Sequence, residues 1–221
     1  MNTLSLTPGP AKLVRSKDWV NFHCLKCGQC CRDLENVVMV ESLDAYRIAR
    51  YLREHGQPDM EMALFYEQYT SPMLLVEGYP VMMMNAPGPD HACAFLDNNR
   101  CSIYPARPRA CRQYPFSVGP GSRGKDFEWY LSLDRPFHLT GGKVLVKDWI
   151  YQNFPHEERE FLLREYDASI QIAKCLKAMD DVAREQCLMQ IIYFRYIFYD
   201  LDDPFLPQYD RNLSALLKQL G

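Results

Sequence analysis

Cys24-Leu-Lys-Cys27-Gly-Gln-Cys30-Cys31 places four thiols within eight residues, a spacing suited to holding metal. Two cysteines separated by two residues can turn their sulfurs onto one ion, because a tight turn between them brings the thiolates together. Gly28 suits such a turn, since glycine takes a positive φ without steric cost. A third cysteine at the same interval extends the array in the manner of the runs that hold iron–sulfur clusters. Cys31 is the unusual member. Adjacent side chains normally diverge, so the spacing predicts that Cys31 serves a different ion, or a different corner, from Cys30.

Cys93, Cys101 and Cys111 follow at intervals too long for a second knuckle and suited to loop-borne ligands reaching a shared centre. Cysteine is often buried as a small hydrophobe, but chance burial does not account for four in eight residues. The candidate ligands are therefore Cys24, Cys27, Cys30, Cys31, Cys93, Cys101 and Cys111. Lys26, Arg32, Arg100, Arg107, Arg109 and Arg112 flank these thiols, against the single acid Asp97. Four thiolates on one divalent ion carry excess negative charge, and these cations are the expected partners for it.

The combination Cys24-x-x-Cys27-Gly-x-Cys30-Cys31, Cys93-x-Phe-Leu, Cys101-x-Ile-Tyr104 and Arg107-Pro108-x-x-Cys111-Arg112-x-Tyr114-Pro115-Phe116 resembles the CxxCxxCC cysteine-cluster family. That family is described as a zinc- or iron-chelating domain, and the likeness runs from about residue 20 to 140. The helices after Pro155 lie outside it. The flagellin lysine N-methylases share the cysteine pattern, so the resemblance also implies an alternative: an iron–sulfur-dependent enzyme such as a protein lysine N-methylase. The family usually carries an eighth cysteine after the Tyr-Pro-Phe segment, where this chain reads Leu133-Asp134-Arg135-Pro136-Phe137-His138. Seven cysteines suffice, or Asp134 or His138 supplies the missing ligand, or one metal position stays open as in reactive sites.

The triple Cys-x-x-Cys-x-x-Cys run favours an iron–sulfur cluster, including the 4Fe-4S type, over Zn2+, although sulfur-rich sites accept either metal. Seven thiolates could serve one four-iron centre with three supporting thiols, or two separate sites. Other signals carry less. Gly119–Asp126 nearly spells a phosphate loop but has Asp126 where a hydroxyl should meet magnesium, and reads as a surface turn. Met82, Met83 and Met84 cannot converge from a strand and read as core. Cys175 and Cys187 read as helix packing residues, and His23 and His91 as polar loop histidines. The chain contains no HExxH and no serine-centred elbow.

Elements must position these groups, and the chain is long enough to build them. Its 221 residues are 48% hydrophobic and 24% charged, an ordinary globular composition that excludes disordered and collagenous classes. The net charge of −3 gives no basic balance to attract nucleic acid. No apolar run reaches membrane-spanning length and none near the start resembles a signal-peptide core, so the expected compartment is the cytoplasm. A reducing compartment agrees with thiols used as ligands rather than cystines.

The predicted fold class is α+β. A loop-rich, metal-organised portion with short strands and helices (residues 1–150) precedes a helical C-terminal region (residues 151–221) packed on it. The N-terminal segment to about Asn21 is expected to be extended and loosely ordered. Helices are predicted from Ser42, as N-cap, to His55, and from Asp59 to Tyr69. Two strands are expected around Glu77-Gly78, with further strands at Phe127–Leu133 and Lys143–Trp149. A helix over His156–Met179, with Leu162, Tyr166, Ile170 and Ala173 as its apolar face, is followed by one capped at Asp180-Asp181 and apolar on two sides. Pro204 and Pro207 end that pair, and Leu213–Leu220 forms a last short helix. Metal is the implied partner; a protein substrate or partner and the oligomeric state stay open.

Overall fold

A computed structural model describes residues 10–75, 78–121 and 126–220. In chain order, β1 (Ala11–Val14) and β2 (Trp19–Val20) lead into the cysteine run, and α1 (Ser42–Glu54) and α2 (Met62–Tyr69) precede β3 (Thr70–Leu74) and β4 (Pro80–Met84). Then come β5 (Leu96–Asp97), β6 (Arg100–Cys101), α3 (Arg109–Gln113), β7 (Phe116–Pro120), β8 (Phe127–Ser132), β9 (Val144–Leu145) and α4 (Val146–Asn153). α5 (His156–Ala178), α6 (Asp181–Ile192), a π turn over Tyr193–Ile197 and α7 (Phe205–Leu220) complete the chain. The fold is mixed α+β, with short elements first and a helical region last.

β1, β8 and β7 form an antiparallel sheet in that order, and β2 pairs with β9. Ala11–Val14 and Trp19–Val20 of the segment expected to be loosely ordered are thus paired strands. Ala11–Val14 finds a long-range partner in β8, a contact that local propensity does not report. Val14, Val20, Phe22, Phe116, Leu131 and Val146 are the buried core of this layer. Val144–Leu145 is the only part of the predicted Lys143–Trp149 strand that pairs; helix begins at Val146, whose side chain drops into the same core.

The main core is built on α1. Leu43, Tyr46, Ala49 and Leu52 are all buried, as their spacing requires, and Ala45 and Ile48 widen the stripe. Ser42 is not the N-cap: that place is held by Glu41, whose carboxylate is turned to Arg109 and caps no helical N–H. All five β4 residues are buried because the strand is covered on both faces. Met82 and Met84 join the main core, while Val38–Val40 runs beside β4 on the other edge, through Val40 N–H to Met82 O and Met84 N–H to Val38 O. The methionine triplet is core packing. In the β3–β4 connection, Gly78 takes φ 77° as expected; Glu77 lies outside the described residues. Residues 122–125 of the phosphate-loop look-alike also lie outside them.

α5 buries Phe161, Ala168, Ile172 and Leu176, not the predicted Leu162–Ala173 face, and Ile170 is exposed. Asp180 caps α6, its carboxylate accepting from Ala183 N–H at 2.8 Å. The two-sided character expected beyond it is partly present: Tyr196 and Tyr199 enter the main core, Ile191 a separate core with Leu216 and Leu220, and Phe198 is exposed. Cys175 and Cys187 pack against that second helical core. α7 starts at Phe205, eight residues earlier than predicted, with Pro207 in its first turn. Proline is tolerated there because those N–H groups have no helical acceptor.

Candidate metal centre

The Cys24–Cys31 run carries a tight turn at Gly28, where the sequence places one. Gly28 sits at φ 72° and opens a 3-10 turn over Gln29–Cys31, with Cys31 N–H donating to Gly28 O at 3.0 Å. A Cβ on Gly28 would stand 3.0 Å from Asn99 O and 3.2 Å from Leu96 Cδ1, so glycine also lets the knuckle press onto the β5–β6 hairpin. Cys93 N–H donates to Cys31 O at 2.9 Å, tying the first cysteine segment to the second. Arg32 reaches across to Asn99 Oδ1 at 2.9 Å.

Within the turn, Cys30 Sγ and Cys31 Sγ lie 4.0 Å apart. This corrects the expectation that the neighbours diverge: the tight 3-10 geometry keeps both sulfurs on one side. Two thiolates bound at ~2.3 Å to one tetrahedral ion stand about 3.8 Å apart, so this pair already has the edge length of such a site. Cys93, Cys101 and Cys111 abut the main core, and burial pushes all three thiols above their ordinary pKa. Their mutual influence maps the neighbourhood. Cys111 is raised, after burial, by Cys93, Cys30 and Cys101; Cys30 is raised first by its hydrogen bond with Cys31. Thiols from three segments of the chain thus lie within electrostatic reach of Cys30. Cys24 is exposed, and among the described residues no sulfur contact joins it to the rest.

Every cysteine is a free thiol, none paired as a disulfide. Among the described residues no group of three Cys, His, Asp or Glu side chains is gathered tightly enough to hold an ion as it stands. The donors nevertheless fit zinc or iron in kind: soft sulfurs, one pair of them near ligand spacing, beside a buried imidazole. That imidazole is His138, 4% exposed, with Nε2 3.3 Å from Cys27 Sγ and Nδ1 2.8 Å from Tyr114 Oη. Burial and then Arg135 lower the His138 pKa below its ordinary value. Tyr114 is pushed up to about 12, by burial first and then by Cys30. Its ring is set edge-on against Phe22 at 5.8 Å, packed on the core of the β1–β8–β7 layer. Asp134 is exposed and accepts from the Ser132 hydroxyl at 3.0 Å.

The flanking cations divide in a way the sequence did not disclose. Arg109 makes two bonds to Glu41, Nε at 3.0 Å and Nη2 at 2.8 Å, and Arg112 pairs with Glu158. Their partners are buried carboxylates rather than thiolates, which corrects the expectation for both. Arg107, stacked on Tyr104 at 3.6 Å, does act on the thiols, favouring the charged forms of Cys30 and Cys101. Glu41 and Asp44 sit at the start of α1, where acidic residues are common for the helix dipole alone. Nothing local marked them as anchors for α3.

Asp44 shows what that anchor costs. Burial, and then Glu41, raise its pKa from 3.8 to about 6, although Arg109 N–H donates to Oδ1 at 2.8 Å. An acid whose folded value lies above its unfolded value contributes stability that is complete below about pH 4 and lost as pH rises towards 6. In metal-free protein, the stability of wild type relative to Asp44→Asn is therefore expected to fall between pH 4 and 6 and then level off. Denaturant titrations across that range check it, and a difference that rises with pH would contradict the assignment.

Comparison with known proteins agrees with this chemistry. The CxxCxxCC family, whose description reads "Putative zinc- or iron-chelating domain", matches residues 23–133. The chain belongs to that family. It is also 32% identical, over 131 residues, to the uncharacterized protein MJ0661 of Methanocaldococcus jannaschii, covering 57% of this chain and 63% of that relative. The chain thus spans less than two thirds of the relative's length. No solved structure matches it. Among the described residues, no helix is long and apolar enough to cross a membrane.

Proposed function

We propose that the chain is a metal-chelating protein in which Cys24, Cys27, Cys30, Cys31, Cys93, Cys101 and Cys111 hold an iron–sulfur cluster. The observation that carries the reading is the tie between cysteine segments: Cys30 Sγ and Cys31 Sγ stand 4.0 Å apart, and Cys93 N–H donates to Cys31 O at 2.9 Å. Seven free thiols exceed what one four-coordinate ion can use, and the evenly spaced Cys24, Cys27 and Cys30 match the way such clusters are ligated. Thiols raised by burial stay protonated without metal, so loading releases their protons and binding tightens as pH rises. Arg107 offsets part of the charge that accumulates.

Zinc is the second reading, favoured by a specific observation. The Cys30–Cys31 separation of 4.0 Å is the edge of a mononuclear tetrahedron, whereas thiolates on different irons of a cluster stand further apart. Anaerobic purification followed by iron, zinc and acid-labile sulfide analysis separates the two. Brown protein with iron and sulfide in comparable amounts supports the cluster. Colourless protein with stoichiometric zinc selects the second reading. Protein that retains neither metal, and takes up neither on reconstitution, contradicts chelation altogether.

A further inference from the structure

We infer that His138 is itself a metal ligand, with Nε2 joining the Cys27 sulfur on one ion, and that Tyr114 is the positioning residue that aims the ring. The inference rests on the chelating function proposed above and extends its donor set beyond sulfur and beyond the residues that match the family, which end at 133.

Geometry carries it. Cys27 and His138 are 111 residues apart in sequence, yet Nε2 lies 3.3 Å from Sγ. A sulfur at ~2.3 Å and a nitrogen at ~2.05 Å on one tetrahedral ion stand about 3.6 Å apart, so the pair needs only a small adjustment to share a metal. The ring's other nitrogen is already used, 2.8 Å from Tyr114 Oη. A ligating imidazole bound through Nε2 keeps its proton on Nδ1 and donates it outward; here Tyr114 Oη is the acceptor. The main chain is held too. His23 N–H donates to His138 O at 3.4 Å, and Gly142, at φ 56°, leaves no room for a Cβ, which would lie 2.8 Å from Phe22 O. The segment carrying the imidazole is thereby clamped to the residues that enter the knuckle.

Other candidate donors fail. Asp134 is exposed and turned to Ser132, and His91 is exposed, 3.6 Å from Glu35. On metal binding, Cys27 gives up its thiol proton to solvent while the neutral imidazole gives up none. The bonds formed are metal–sulfur and metal–nitrogen, and no electron is transferred.

The test uses full-length metal-free protein reconstituted with Zn2+, a diamagnetic probe that thiolate-rich sites accept. Long-range proton–nitrogen NMR of the imidazoles is expected to show His138 locked with its proton on Nδ1 and Nε2 shifted by the metal. His138→Ala and His138→Gln should weaken zinc binding at least tenfold in chelator competition. Tyr114→Phe should weaken it by about 10–100-fold and leave the tautomers exchanging, as loss of an outer partner does. His138→Cys should restore tight binding, and in that background Tyr114→Phe should have no further effect. A merely structural Tyr114 would not produce that pattern. Zinc bound at full stoichiometry with the His138 signals unmoved overturns the inference and leaves chelation by cysteine standing. Protein that binds no zinc overturns the inference, and if it also takes up no iron and sulfide on anaerobic reconstitution, chelation falls with it.

Discussion

Cys111→Ser is expected to lose bound metal and thermal stability in the same step. Cys111 lies on α3, against the main core, and receives the influence of Cys93, Cys30 and Cys101. Because metal binds the folded site and not the unfolded chain, its binding energy appears as folding energy, ~10–16 kcal/mol in zinc-finger peptides. That is comparable with the whole stability of an ordinary domain. Losing even ~4 kcal/mol of it should lower the melting temperature by roughly 10 °C in a chain of this size. Cys27→Ser should act alike from the other side of the site. Cys175→Ser is the control: the same atom is replaced on α5, against the helical core, and metal content should not change. Inductively coupled plasma analysis beside a thermal melt reads both quantities. Full metal content in Cys27→Ser and Cys111→Ser would remove the basis for the ligand set.

Glu158→Ala should be the most damaging change away from the cysteines. Glu158 is 1% exposed, on the first turn of α5, and its Oε1 receives both Arg47 from α1 and Arg112 from α3. Burial lowers the Arg112 pKa to about 10, so this guanidinium is already strained by loss of solvent. Removing the carboxylate leaves Arg112 with Asp44 at 4.0 Å as its nearest acid, while Arg47 keeps Glu157, and breaking a buried pair in that way costs about 3–5 kcal/mol. The melting temperature should drop by roughly 6–20 °C. Glu158→Gln, which keeps the shape and loses the charge, should fall between wild type and alanine. A loss below about 1 kcal/mol for alanine would mean that Glu158 does not bind α5 to the cysteine-bearing layer.

Short-range features were legible in the residues. The turn with the positive φ of Gly28, the β3–β4 hairpin and the Asp180 cap are each specified within about four residues. The α+β class followed from them. What the sequence hid was set by partners far along the chain. α5 exposes Ile170 and buries Phe161 because Phe205 and Tyr209 of α7 meet Phe161 edge-to-face, at 5.5 and 5.3 Å. Arg109 and Arg112 looked like thiolate counterions because their sequence neighbours are cysteines, while their carboxylates come from residues 41 and 158. His138 was one of several ways to complete the donor set. Its contact with Cys27 needed the β1–β8–β7 layer to place Tyr114 and the residue 136–139 turn together.

X-ray absorption at the edge of whichever metal the purified protein retains tests the central claim most directly. A first coordination shell dominated by sulfur at about 2.3 Å is the predicted result. A shell of oxygen and nitrogen alone, at about 2.0–2.2 Å, would contradict it.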